Sequence, residues 1–155
     1  MLLFLLRHAE AVAQAASDAE RELTGKGVRQ AERVGKFCAA NELTPEIILT
    51  SPLRRAKQTA RLVASEVGEP DVIVTPFLAS GMSPDSALEE LKAYAKLQSL
   101  MLVGHEPDFG YLVARLLGAE ADCINIRKAS LTLLEVVALH PGGAQLQFSI
   151  PSRFL

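Results

Sequence analysis

Four short apolar runs, Leu2 to Leu6, Ile47 to Leu49, Val72 to Val74 and Leu100 to Val103, constrain the fold of this chain more than any other feature. A run that is apolar on both faces suits a strand inside a parallel sheet, where both faces are covered. Between the runs the apolar residues recur at spacings of three and four. Leu53, Ala56, Ala60, Val63 and Val67 follow that rule, as do Phe109, Leu112, Val113, Leu116 and Leu117, and it is the repeat of a helix with one buried stripe. A third helix is predicted from near Thr24 to about Ala40, and a fourth from roughly Ser86 to Leu97 with Leu88, Leu91 and Ala95 facing inward. Strand and helix therefore alternate.

After Gly118 the pattern changes. Leu131 to Val137 reads as a strand and His140-Pro-Gly-Gly143 as a turn, and then Leu146, Phe148 and Ile150 alternate with Gln145, Gln147 and Ser149. That period belongs to a strand with one wet face. The predicted architecture is a three-layer α/β/α sandwich: a mostly parallel central sheet, helices on both faces, and an antiparallel hairpin at one edge. No internal repeat or Ser/Gly/Pro-rich linker divides the chain, so a single domain over residues 1–155 is expected.

A net charge of -2 gives no broad attraction to nucleic acid or anionic lipid, so neither is expected as a partner. The apolar start, Met1 to Leu6, is too short for a signal-peptide core or a membrane span. Cys38 and Cys123 are expected as buried free thiols, which fits a reducing cytoplasm.

Ligands of open α/β sheets sit beyond the carboxyl ends of the strands. Three of the four runs end there in residues that seek phosphate: Arg7-His8, Ser51-Pro52-Leu53-Arg54-Arg55, and His105-Glu106-Pro107. Arg7 and Arg55 offer guanidinium forks that match phosphoryl oxygens. Ser51 before Pro52 reads as a helix N-cap that places Arg54 and Arg55 in the first turn, where an anion is favoured. His8 supplies a nucleophile, kept neutral by the guanidinium charges around it, and His105, if protonated, adds positive charge. Each feature alone also has an ordinary structural reading. Their convergence on one sheet end points to phosphoryl chemistry, for which no metal or other cofactor is expected.

The segments Arg7-His8-Ala9-Glu10, Ser51-Pro52-Leu53-Arg54-Arg55-Ala56-Lys57-Gln58-Thr59-Ala60 and Gly104-His105-Glu106 resemble those of the histidine phosphatase (phosphoglycerate mutase-like) superfamily. The small size, with Asp18-Ala-Glu-Arg21-Glu-Leu23-Thr24-Gly25-Lys-Gly27, is similar to its SixA-type phosphohistidine phosphatase branch. The resemblance implies that His8 becomes phosphorylated while Arg7, Arg55 and His105 grip the phosphoryl group, and that Arg54 lies outside the pocket. Ala9 stands where the family has glycine, and Phe77-Leu78-Ala79-Ser80 lacks the glutamate proton donor of the mutases.

Candidates for protonating the leaving group are Asp18, in the loop after the first strand, and Glu106, equally explained as a helix-start residue. Arg21 either extends the positive rim or pairs with Asp18 or Glu22. The expected substrate is phosphohistidine on a protein, such as a phosphorelay or phosphotransfer domain. The alternatives are a small phosphoester (a sugar phosphate or nucleotide), a module that recognises phosphate without turnover, and a metal site built from His8, His105, Glu106 and Asp18.

Overall fold

The computed structural model describes residues 1–155. Six strands form one sheet: β1 (Leu2–Arg7), β2 (Ile47–Thr50), β3 (Asp71–Val74), β4 (Ser99–Gly104), β5 (Leu131–Val136) and β6 (Ala144–Ile150). Their spatial order is β3-β2-β4-β1-β5-β6, parallel from β3 to β1 and antiparallel from β1 through β5 to β6. The helices are α1 (Gly25–Ala40), α2 (Arg54–Ala64), α3 (Pro84–Leu91) and α4 (Asp108–Leu117).

The three layers follow from strand alternation. Phe4 and Leu6 of β1, with Met101 and Val103 of β4, pack in one core with Val34, Cys38, Ala60 and Val63 of α1 and α2. Leu3, Leu5, Leu100 and Leu102 join Leu88, Leu91, Leu112, Val113 and Leu116 of α3 and α4 in the other. The runs read as apolar on both faces serve two cores at once.

Three expectations are corrected. The run Val72 to Val74 lies in the edge strand β3, where Ile73 and Val74 are 40% and 48% exposed, because β2 covers one side only. The fourth helix stops at Leu91 and continues as a 3-10 turn over Lys92–Tyr94. Tyr94, at the end of that turn, and Leu97, whose amide bonds the Tyr94 carbonyl at 3.1 Å, reach the core while Ala95 is exposed. Finally, Cys38 is buried, but Cys123 is exposed in a short 3-10 turn.

Thr24 caps α1, its hydroxyl accepting from the Gly27 amide at 3.0 Å. No helix is long and apolar enough to cross a membrane.

Candidate active site

Parallel pairing brings the carboxyl ends of β1, β4 and β2 together. Arg7 pairs with Gly104 and Thr50 with Val103, and the ladder continues past the strands through His8 N–H to the Gly104 carbonyl (3.0 Å) and Ser51 N–H to the Val103 carbonyl (2.9 Å). His8 and His105 are consequently neighbours, with ring centroids 5.2 Å apart. Both are buried. These strands flank the point where the chain, after stepping outward from β2 to β3, returns to fill the slot between β2 and β1. Ligands of open α/β sheets bind at such a switch.

The tautomer of His8 is fixed by its partners. Nδ1 lies 2.8 Å from the Ala9 carbonyl, which only accepts, so Nδ1 carries the hydrogen. Nε2 lies 3.3 Å from Arg55 Nε, which only donates, so Nε2 presents its lone pair. Burial pushes the His8 pKa down to about 3, helped by His105, Arg55 and Arg7 and opposed by the bond to Ala9. His8 is therefore neutral at neutral pH, with burial a larger cause than the guanidinium charges.

Arg55 projects from the first turn of α2 and is 5% exposed. Besides approaching His8, it donates from Nη1 to the Asp18 carbonyl (2.7 Å) and from Nη2 to Asp18 Oδ2 (3.0 Å). Arg21 donates to Asp18 Oδ1 (2.9 Å) and to the Val12 carbonyl (2.7 Å). Of the two roles weighed for Arg21, the structure shows the pairing with Asp18. Glu22 is taken by Arg54 at 2.7 Å, on the exposed side of α2.

Asp18 thus sits over the site as the counter-ion of Arg55. Hydrogen bonds from Arg21 and Arg55 hold its carboxyl below the usual carboxylate range, the opposite of what a proton donor at neutral pH needs. The loop carrying it is clasped at its stem by a bridge between Ala11 and Leu23 and by the Thr24 amide bonding the Glu10 carbonyl at 3.0 Å. Gly27 permits that closure, since a Cβ there would run into the Glu10 carbonyl.

His105 meets Ser51 Oγ through Nε2 at 2.7 Å. Its pKa is pushed down to about 4, first by burial and then by Arg55, so without a bound anion it is neutral rather than a cation. Ser51 is not the helix N-cap expected. Leu53 holds that position, because the ladder bond of Ser51 to Val103 keeps it with the strand and α2 starts only at Arg54. The Ser51 hydroxyl instead faces His105 and accepts from the Leu53 amide at 3.3 Å.

Glu106 is bound to the backbone. Its Oε2 accepts from the Gly110 amide (3.1 Å) and its Oε1 from the Ile126 amide (2.9 Å), so it staples the start of α4 to the segment before β5. Arg7 donates from Nη1 to the Ile126 carbonyl (2.8 Å), while its buried Nε has no partner. No three His, Cys, Asp or Glu side chains cluster as a metal ion would require.

Several supporting residues carry no sequence signal of a role. Thr59 accepts from the Ala9 amide (3.1 Å) and donates to the Arg55 carbonyl (2.8 Å), tying the loop after His8 to α2. Gln58 and Gln30 accept from the Leu23 and Glu10 amides. Thr59 and Gln58 lie inside the motif around Arg55, and their periodicity alone marks them only as helical. Ile126 is 119 residues from Arg7, with nothing in the sequence to link them.

A sequence model of the histidine phosphatase superfamily (branch 1) matches residues 3–79. The phosphohistidine phosphatase SixA of Escherichia coli (strain K12) is 31% identical over 129 residues, covering 77% of this chain and 76% of that protein. Among solved structures, the protein histidine phosphatase SixA complexed with tungstate superposes with a TM-score of 0.88 at 24% identity over 99% of both chains. The alpha-ribazole phosphatase of Shigella flexneri gives 0.74 at 22% identity over 95% of both, a likeness of fold. With the sequence match to SixA spanning more than two thirds of each protein, the chain belongs to the histidine phosphatase superfamily.

Proposed function

We propose that this phosphatase removes phosphate from phosphohistidine on a protein, through a phosphohistidine formed on His8. The observation that carries the reading is a pairing within the site. A neutral His8 presents the Nε2 lone pair beside Arg55, while the two nearby carboxyls, Asp18 and Glu106, are held by arginines and by backbone amides. A site with a ready nucleophile and no poised acid suits a leaving group that needs little help.

His8 Nε2 attacks phosphorus, and the bond from phosphorus to the substrate nitrogen breaks. The electron pair returns to the substrate ring, which leaves as neutral imidazole when its other nitrogen already carries a proton. That protonation is accessible near neutral pH for an imidazole nitrogen, whereas the bridging oxygen of a phosphate ester is not protonated there and would leave as an alkoxide unless an acid assisted. The Ala9 carbonyl stabilises the charge that develops on His8 at Nδ1–H. Arg55 exchanges Asp18 for phosphoryl oxygens, the partnerless Arg7 Nε supplies a further donor, and His105 and Ser51 complete the cradle. Water then attacks phosphorus, the bond to Nε2 breaks, His8 departs as neutral imidazole because Nδ1 kept its hydrogen, and both water hydrogens leave with the product as dihydrogen phosphate. Arginine charge takes the part a metal would otherwise play. The free Cys38 and the exposed free Cys123 fit action in a reducing cytoplasm.

The test compares phosphate release from a phosphohistidine-bearing phosphotransfer domain with release from a panel of sugar phosphates and nucleotides. His8→Ala serves as the control, and samples are run with and without exhaustive chelation. The reading requires His8-dependent release that is fastest on the phosphoprotein and survives chelation. Preference for a small ester moves the assignment to that class, and tight phosphoprotein binding without turnover makes the cleft a recognition site.

A further inference from the structure

Beside the phosphate site lies a groove of about 330 Å³ lined almost wholly by polar and charged side chains. Arg7 belongs to it, together with Lys26, Arg127, Lys128 and Arg153. Bonds to the neighbouring backbone hold the walls of the groove in place. Arg7 Nη1 binds the carbonyl of Ile126, next to Arg127, and the Ala129 amide after Lys128 binds the Arg7 carbonyl at 3.1 Å. Arg153, in a 3-10 turn over Ser152–Phe154, stacks on the Phe154 ring at 4.6 Å, and Arg33 of α1 ties that turn down through the Ser152 carbonyl (3.3 Å).

One carboxylate serves the groove. Glu10 pairs with Lys26 at 2.9 Å and also faces the Lys128 charge, and Arg7 faces Glu106, while Arg127, Lys128 and Arg153 form no salt bridge of their own. The chain as a whole is net -2, so this concentration is local. Arg127 and Lys128 are exposed, and their side chains make no hydrogen bond. A single phosphoryl group already has Arg7 and Arg55.

We propose that the groove carrying Arg127, Lys128 and Arg153 docks an acidic surface flanking the phosphorylated histidine of the protein substrate. The inference rests on the phosphoprotein reading above and adds how the partner is chosen. Unpaired cations at the rim of a site act mainly on encounter and orientation, and their effect fades with salt. A small phosphorylated molecule would engage the arginines of the pocket and leave this rim untouched.

The experiment charge-reverses the rim with Arg127→Glu/Lys128→Glu and separately with Arg153→Glu. Turnover of a phosphohistidine-bearing probe is compared with turnover of phosphoramidate, the probe being a phosphotransfer domain with acidic residues around its histidine. The double variant is expected to lower kcat/KM on the phosphoprotein by at least about tenfold through KM, the lower end of what a charged patch gives. It should also flatten the salt dependence and leave phosphoramidate within about twofold of wild type. An equal loss on both substrates overturns the proposal, because the charges then act on the phosphoryl group itself. An unchanged KM on the phosphoprotein overturns it as well, while leaving the phosphohistidine phosphatase reading standing. Wild type that releases nothing from the phosphoprotein refutes that reading and this proposal together.

Discussion

Removing the Asp18 carboxylate is predicted to tighten the binding of phosphate-like anions. Asp18 occupies the Arg55 fork, with Oδ2 3.0 Å from Nη2, so an incoming phosphoryl group must displace it. The Asp18 side chain is 61% exposed, so solvent screens the pair and its worth is about 0.5–1 kcal/mol. Removing that competition should therefore lower the inhibition constant of tungstate or inorganic phosphate by roughly two- to fivefold. The assay is competitive inhibition of turnover by each anion, in wild type, Asp18→Ala and Asp18→Asn. Asp18→Asn keeps the backbone carbonyl contact to Arg55 Nη1 but loses the charge and one of the two oxygens that accept from Arg21 and Arg55, so it should reproduce most of the gain. Because the carboxyl is held below the usual range, kcat on a phosphohistidine substrate should change little. An unchanged or higher inhibition constant together with a hundredfold fall in kcat would refute the reasoning and make Asp18 the proton donor.

Other perturbations have defined outcomes. Arg55→Lys loses both the fork and the Nε approach to His8, and kcat/KM should fall about 10²–10³-fold in steady-state assays. His8 and His105 titrate near the ordinary 6.5 when unfolded and near 3 and 4 when folded, so below pH 6.5 the unfolded state binds more protons. Stability should be level above pH 6.5 and decline as pH falls toward 5, and His105→Gln should reduce that slope in denaturant titrations at pH 7.5 and 5.5. Gly27→Ala drives a methyl into the Glu10 carbonyl and should cost roughly 2 kcal/mol, seen by calorimetry as a Tm about 4–8 °C lower.

The site was legible where chemistry and strand ends coincide. Arg7, His8, Arg55 and His105 follow or flank apolar runs, so residue type and position pointed to the same sheet end. What the sequence did not carry is set by contacts between distant segments. Nothing local distinguishes an Asp18 that donates protons from one that neutralises Arg55; the difference is the fold of the loop between His8 and Thr24. Ser51 looked like a cap because Ser-Pro commonly starts a helix, and its ladder bond to Val103 overrode that preference. The edge position of β3 was hidden because Val72, Ile73 and Val74 read as apolar whether one neighbour or two covers them. Whether His105 carries a charge was open in the sequence, because burial depth, which sequence does not report, is what lowers its pKa.

The central claim is tested most directly by trapping the enzyme during turnover. Wild type mixed with a radiolabelled phosphohistidine protein, quenched in alkali and mapped by peptide mass spectrometry, should carry an acid-labile phosphoryl group on His8. His8→Ala should carry none and release no phosphate. Label on His105 instead, or sustained release by His8→Ala, would contradict the account.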